Sequence, residues 1–221
     1  MNEKNLGTTD VAKIIRKELK TKFPETKFSV RSSKYSMGSS IHIDWDNGPT
    51  EDQIKKIVMK YESKGFDGMI DLEFYYYHYM LPDGTIEKHG SEGTSRSRGV
   101  YPDWEKDLPE GAVKVNLSSG YIFTDRTVTD DWVLKIAKVV RKSFGELEKT
   151  NEPMSEDDLS NSFNFGSDYM NWHQLVYRVS QKLDLTNVKD VIEDHDFTGG
   201  SIYEGYKTVR CEWRWLNKRS F

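Results

Sequence analysis

Arg31-Ser32-Ser33-Lys34-Tyr35-Ser36-Met37-Gly38-Ser39-Ser40 puts hydroxyls, two cations, an aromatic ring and a glycine in one short run. Hydroxyls and cations together can hold phosphate through charge-assisted hydrogen bonds. The run lacks the GxxxxGKS/T spacing of a phosphate cradle, and a polar hairpin loop has the same composition. A second set lies on the flanking strands. If Phe28, Val30, Ile41 and Ile43 face a core, then Ser29, Arg31, Ser40, His42 and Asp44 face away. From a third strand Glu73, Tyr75, Tyr77 and Tyr79 can join them, with Leu72, Phe74 and Tyr76 inward. Rings and arginine on an open sheet are a means of stacking bases, although Asp44 and Glu73 oppose a polyanion. The third set is basic helical surface: Lys13, Arg16, Lys17 and Lys20, then Lys135, Lys138, Arg141 and Lys142. Such faces can neutralise phosphates, and ordinary solvated faces look alike.

Catalytic and metal signatures are weaker. His42, His78, His89, His173 and His195 form neither HExxH nor a paired spacing. Glu193-Asp194-His195-Asp196 has metal-capable groups, but adjacent residues point in different directions. GxSxG and GxGxxG do not occur. Cys211, the one cysteine, sits in an alternating stretch as a small hydrophobe would. It leaves no disulfide within the chain and suits a reducing compartment. Hydrophobic residues make up 36% of the 221, with aromatics at 13% helping to fill a core. A net charge of -4 argues against a wholesale nucleic-acid coat protein. The charge is uneven: +5 over 1–35, -9 over 146–204 and +4 over 206–221. Basic ends around an acidic segment can clamp a polyanion or pair with each other. The N-terminus has no apolar leader, and no run approaches a membrane span.

These residues need elements to position them. Thr8-Thr9-Asp10 offers N-caps for a helix over 10–23, with Val11, Ile14, Ile15, Leu19 and Phe23 on one face and Pro24 ending it. Alternation predicts strands at 27–32 and 39–45, with 33–38 as the loop between them. Asn47-Gly48-Pro49 makes a turn, and Thr50 with Gln53 a capping box for a helix over 50–63. After a Gly65–Gly68 turn come a strand at 69–80, a Pro82-Asp83-Gly84 turn and a return strand at 85–88. Residues 89–111 read as an extended loop. At a fixed offset of 79 residues, Ser39-Ser40, Ile43, Asp46, Thr50, Asp52 and Ile57 align with Ser118-Ser119, Ile122, Asp125, Thr129, Asp131 and Ile136. That suggests a repeated strand–turn–helix unit, strand 112–123 and helix 129–144, unless any capped helix after a strand gives the same echo. Helices at 168–183 and 186–192 and a strand at 206–215 follow. The pattern is α+β, a two-layer sandwich, ferredoxin-like or similar, over 1–145, with an α+β extension over 151–221.

VAKIIRKEL at 11–19, KFSVRSSKYSMGSSIHIDW at 27–45, GPT at 48–50 and GFDGMID at 65–71 carry a further reading. Over about residues 8–90 the chain resembles the twenty-ninth of the numbered large polyvalent-protein-associated domains. These are parts of very large proteins carried by phages and conjugative elements. The resemblance supplies no catalytic residues.

The expectation is a non-enzymatic accessory binding protein of a phage or mobile element, acting in the bacterial cytoplasm. Its partner would be nucleic acid, held weakly and salt-sensitively, or a host defence or replication protein. The expected contact residues are Arg31, Ser33, Lys34, Tyr35, His42, Tyr75 and Tyr77, with Arg16, Lys17 and Lys20. No cofactor, metal or membrane contact is expected. The alternatives are an enzyme of nucleic-acid metabolism with its site around Arg31, Lys34, Tyr35 and His42, and a scaffold within a larger assembly.

Overall fold

The computed structural model describes residues 4–91, 93, 110–143, 162–165 and 168–186. The chain forms two compact units that divide between Thr127 and Val128, ahead of the boundary after residue 145 expected from the sequence. The first unit runs β1 (Lys4–Leu6), α1 (Thr8–Lys22), β2 (Phe28–Tyr35), β3 (Gly38–Asp46), α2 (Glu51–Val58) and a single 3-10 turn at Met59–Tyr61. It continues through β4 (Lys64–Asp67), β5 (Leu72–Met80), β6 (Ile86–Ser91), β7 (Val113–Leu117) and β8 (Tyr121–Thr127). Helices beside mixed sheets confirm the α+β class.

Local chemistry explains most of these elements. The Thr50–Gln53 capping box forms as predicted, Gln53 N donating to Thr50 Oγ1 at 3.3 Å and Thr50 N to Gln53 Oε1 at 2.7 Å. The start of α1 differs. Gly7 is its N-cap, and Thr8, expected to cap, lies inside the first turn and donates its hydroxyl to the Ser118 carbonyl at 2.6 Å. The expected loop 33–38 also differs. Tyr35 pairs with Gly38, so the strands run nearly to the tip and only Ser36-Met37 form the turn. The Gly65–Gly68 turn is instead the strand β4, paired with β5. A Cβ at Gly65 would meet the Phe74 ring at 2.3 Å, so a larger residue here would have to push that ring aside.

The strands belong to two sheets, not the single sheet of a ferredoxin-like fold. One is three-stranded, in the order β2-β3-β8, with β2 antiparallel and β8 parallel to β3. The other runs β1-β7-β5-β4, with β6 also paired to β5. One hydrophobic cluster joins Val11, Ile15 and Leu19 of α1, Ile54 and Val58 of α2, Ile41 and Ile43 of β3, and Ile86 and Val115 of the larger sheet. Both helices therefore lie on the same face of the three-stranded sheet, as the matched apolar stripes predict. Burying each such side chain stabilises the fold by about 1.5–3 kcal/mol.

The expected continuous strand 112–123 is broken into β7 and β8, which lie in different sheets. Their junction, Ser118-Ser119-Gly120, is held from four segments. Ser118 N donates to Leu6 O at 3.0 Å, and the Ser118 carbonyl accepts from Thr8 Oγ1 and, at 2.7 Å, from Ser39 Oγ. Ser119 Oγ donates to the Tyr61 carbonyl. Gly120 N donates to Ser63 Oγ at 2.9 Å, and Ser63 N returns to Gly120 O at 3.1 Å. Gly120 has φ +64, and a Cβ there would lie 1.8 Å from the Ser39 carbonyl oxygen. The echo at offset 79 aligns Asp46 with Asp125, whereas the β3–β8 ladder pairs Asp44 with Asp125. A helix, α3 (Asp130–Ser143), does follow β8, but in the second unit.

The second unit contains α3, a hairpin of β9 (Ser162–Phe165) and β10 (Asp168–Asn171), and α4 (Trp172–Ser180). The expected helix 168–183 is shortened because Asp168–Asn171 pair with β9. Trp132, Ile136, Val176, Leu183 and Leu185 are buried there. All but the first residue of the expected helix 186–192, the expected strand 206–215, most of the loop 89–111, and Cys211 and His195 lie outside the described residues.

Glu18 of α1 ties this helix to the turn after α2. It accepts from Lys60 Nζ at 3.0 Å and from Tyr61 Oη at 2.6 Å, with Lys22 at 3.4 Å. Burial alone would raise its carboxyl. The Tyr61 and Lys60 hydrogen bonds, with the charges of Lys60 and Lys22, outweigh burial and hold it below the usual range.

Two predictions follow from this packing. Gly120→Ala should destabilise the protein by roughly 3 kcal/mol or more, since it combines a positive φ with a backbone clash. The melting temperature should fall by about 6–12 °C, while Gly68→Ala, whose Cβ would meet nothing within 4 Å, should leave it nearly unchanged. The second concerns acid. With its folded pKa depressed, Glu18 contributes stability above its unfolded value, and that is lost as pH falls through the folded value. Glu18→Gln should therefore be less stable than wild type at pH 7, the difference shrinking below about pH 4.5. Urea unfolding midpoints at pH 7 and pH 3.5 measure it.

Candidate interaction surface

Strand alternation and register divide the predicted contact residues between two faces. On β2, Phe28 and Val30 face the helices, so Ser32 and Lys34 share that side, while Arg31, Ser33 and Tyr35 project from the outer face. Ser40, His42 and Asp44 of β3 and Tyr121, Phe123 and Asp125 of β8 lie on the outer face too, because their neighbours Ile41, Ile43 and Ile122 are in the core. Arg31 donates to Asp44 Oδ2 at 2.9 Å. The His42 ring stacks on Phe123 with centroids 4.9 Å apart, and its Nε2 lies 3.2 Å from Ser40 Oγ.

A chain of contacts carries this face onto the larger sheet. Tyr121 Oη donates to Glu73 Oε1 at 3.0 Å, and Lys64 Nζ donates to Glu73 Oε2 at 2.7 Å. Lys64 also sits over the Tyr75 ring, 5.5 Å from its centroid. The pairs Lys64–Tyr75 and Phe66–Glu73 put Phe66 on the same side. The result is one surface with four rings about half exposed: Tyr35 53%, Phe66 54%, Tyr75 52% and Phe123 51%. Lys64, Glu73 and Tyr121 satisfy one another. The hydrogen bond to Glu73 raises the Lys64 ammonium. Hydrogen bonds from Lys64 and Tyr121 hold the Glu73 carboxyl low. Burial and Glu73 together push the Tyr121 phenol up to about 12.

The expected residues are thus only partly brought together. Arg31, Ser33, Tyr35, His42 and Tyr75 belong to this surface. Tyr77 lies farther along the same side of β5, with Lys114 Nζ 5.9 Å from its ring centroid. Tyr79, expected to be exposed, is buried, and Leu72, expected inward, is 48% exposed. The cause is that β5 is not uniform: its last residues lie between β6 and β7, while its first pair only with β4. Lys34 is on the opposite face, so the site imagined around Arg31, Lys34, Tyr35 and His42 does not converge. The ladder also takes the place of the loop at 33–38 that was expected to hold phosphate. Lys17 and Lys20 are exposed on α1, across the sheet from Arg31. Arg16, expected as a phosphate contact, instead donates from Nη2 to the Val30 carbonyl at 2.6 Å. Sequence reading missed Lys64, Phe66, Tyr121 and Phe123. The alternation of Tyr121 and Phe123 about Ile122 was the available signal, hidden by reading 112–123 as one strand.

Among the described residues no cluster of three or more His, Cys, Asp or Glu has metal-binding geometry, and no helix is long and apolar enough to cross a membrane. Arg16→Ala should lower stability by about 1 kcal/mol through the lost bond to Val30. Arg31→Ala, removing an exposed pair, should change it by less than about 0.5 kcal/mol. Chemical denaturation of both variants tests this assignment.

A family model, large polyvalent protein associated domain 29, matches residues 6–129, and the chain belongs to that family. The match extends past the segments at 8–90 to the end of β8, so it takes in β7 and β8 and closely follows the first compact unit. Membership supports a phage or mobile-element setting. Comparison with curated proteins and with solved structures finds no match.

Proposed function

We propose that this large polyvalent protein associated domain is a non-enzymatic binding module, and that its ring-bearing outer face docks a protein partner of the host or of the element. One observation carries the reading. Tyr35, Phe66, Tyr75 and Phe123 are each about half exposed on a continuous surface built from two sheets. Aromatic side chains with arginine are the residue types that anchor protein interfaces. The charges beside them, Arg31 with Asp44 and Lys64 with Glu73, are already paired, as suits a surface that meets another surface.

A second reading, stacking of single-stranded bases on the same rings, is favoured by the exposed His42–Phe123 stack. Electrostatics opposes it. The cations among its four half-exposed rings, Arg31 and Lys64, are paired with carboxylates, Asp125 adds another negative charge there, and Lys17, Lys20 and Lys34 are elsewhere.

The test uses the full chain as bait in extract of phage-infected bacteria. Wild type should capture a partner that resists nuclease treatment. Phe66→Ala/Phe123→Ala should reduce capture at least about tenfold while keeping the wild-type melting temperature. Capture unaffected by loss of the rings, or abolished by nuclease, overturns the protein reading. In a titration of labelled single- and double-stranded DNA at two salt concentrations, binding should be weak at low salt and absent at physiological salt.

A further inference from the structure

We propose that the free edge of β2, from Ser32 to Tyr35, receives an extended acidic peptide as an added strand; this rests on the protein-binding reading and names its partner's chemistry. Among the described residues β2 is an edge of the three-stranded sheet, since β3 is its one strand neighbour there. The two-residue turn makes Tyr35–Gly38 a hydrogen-bonded pair, and such pairs then alternate along the ladder. Ser33, Arg31 and Ser29 therefore spend their backbone groups on β3, and Lys34, Ser32, Val30 and Phe28 turn theirs outward. Arg16 fits this assignment, because it reaches the Val30 carbonyl from α1. The Val30 acceptor is thereby closed, whereas the N–H and C=O of Ser32 and Lys34 remain at an exposed edge.

The exposed, uncommitted charges on the helix side of this edge are basic. Lys34 projects on the helix side, and α1, which sends Arg16 to the edge, exposes Lys17 and Lys20. Residues 1–35 carry a net +5. Of the two acidic residues of α1, Asp10 pairs with Lys13 at 3.2 Å, and Glu18 is committed to Lys60, Tyr61 and Lys22. Side chains of an added strand alternate between faces. Those on the helix side would meet Lys34, and those on the outer side would meet Tyr35 and Arg31. The geometry thus specifies a partner that alternates acidic with aromatic or apolar residues, anchored by main-chain bonds to Ser32 and Lys34.

The probe is a fluorescein-labelled octapeptide alternating Asp and Leu, titrated by anisotropy against the full chain. Its Lys/Leu counterpart and an alternately N-methylated Asp/Leu version are the controls. The Asp/Leu peptide should bind at least about tenfold more tightly than either. Ser32→Pro removes the outward N–H without touching the β3 ladder, and an edge strand accepts proline there. It should keep the wild-type melting temperature and weaken the peptide about tenfold. Lys34→Glu should reverse the preference between the acidic and basic peptides. Absence of binding, equal binding of the N-methylated peptide, or an unchanged affinity in a folded Ser32→Pro variant overturns the proposal. So does concentration-dependent dimerisation that Ser32→Pro abolishes, which would make the edge a self-pairing surface. If Ser32→Pro leaves partner capture intact while Phe66→Ala/Phe123→Ala abolishes it, strand addition fails and the ring-face reading stands. If neither variant affects capture, both fail.

Discussion

The first unit depends on the three residues Ser118-Ser119-Gly120. They take the chain from one sheet to the other, and their bonds reach β1, α1, β3 and the segment after α2. The Ser118 carbonyl accepts two hydroxyls, and Gly120 occupies a conformation that only glycine adopts against the Ser39 carbonyl. Without this junction β8 could not lie parallel to β3, and the outer face would lose Tyr121 and Phe123. The family match agrees with that dependence. It does not stop where the first helices and hairpin end, but runs through the junction to the end of β8.

The same geometry governs what the surface can bind. Sequence composition puts Arg31, Lys34 and the α1 lysines into one basic neighbourhood. The fold separates them, because a one-residue step along a strand crosses the sheet and α1 packs on the far side. The outer face is left aromatic, with Arg31 and Lys64 paired to carboxylates. The helix side of the β2 edge is left basic. These surfaces meet along β2, so a strand added there would touch both.

Much of the framework was legible because short-range rules decide it. The Thr50–Gln53 box, the α1 stripe from Val11 to Leu19 and the Ile41–Trp45 alternation each depend on neighbouring residues. What was not legible depends on distant ones. Thr8 and Thr9 look like caps, but the Ser118 carbonyl, far along the chain, takes the Thr8 hydroxyl into the helix. Arg16 looks like a surface cation until an edge carbonyl is placed beside it. GFDG has the composition of a turn, yet it pairs as a strand with β5, with the Phe74 ring over Gly65. The candidate surface was half visible. Arg31, Tyr35, His42 and Tyr75 could be read from alternation. Lys64, Phe66, Tyr121 and Phe123 needed the break at Gly120 and the β4–β5 register.

The polar groups behind β8 explain how an exposed surface can still be precisely built. His78 is 1% exposed and its Nε2 has no hydrogen-bond partner. Burial first, and then the Lys88 charge, push its imidazole down to about 4. Burial also raises the Glu62 carboxyl and lowers the Lys88 ammonium, which sits 4.1 Å from the Tyr76 ring centroid. Desolvating such groups opposes folding, so a compensating structural role is to be looked for. Glu62 has one: its Oε1 accepts the outward N–H of Ile122 at 3.3 Å. That contact fixes β8 from its open side, while the Ile122 side chain is held in the core. With Ile122 constrained by both backbone and side chain, Phe123 must present its ring to the opposite face. The ring face is therefore set by a strand secured from behind, which is how a binding surface stays preorganised without a lining of its own.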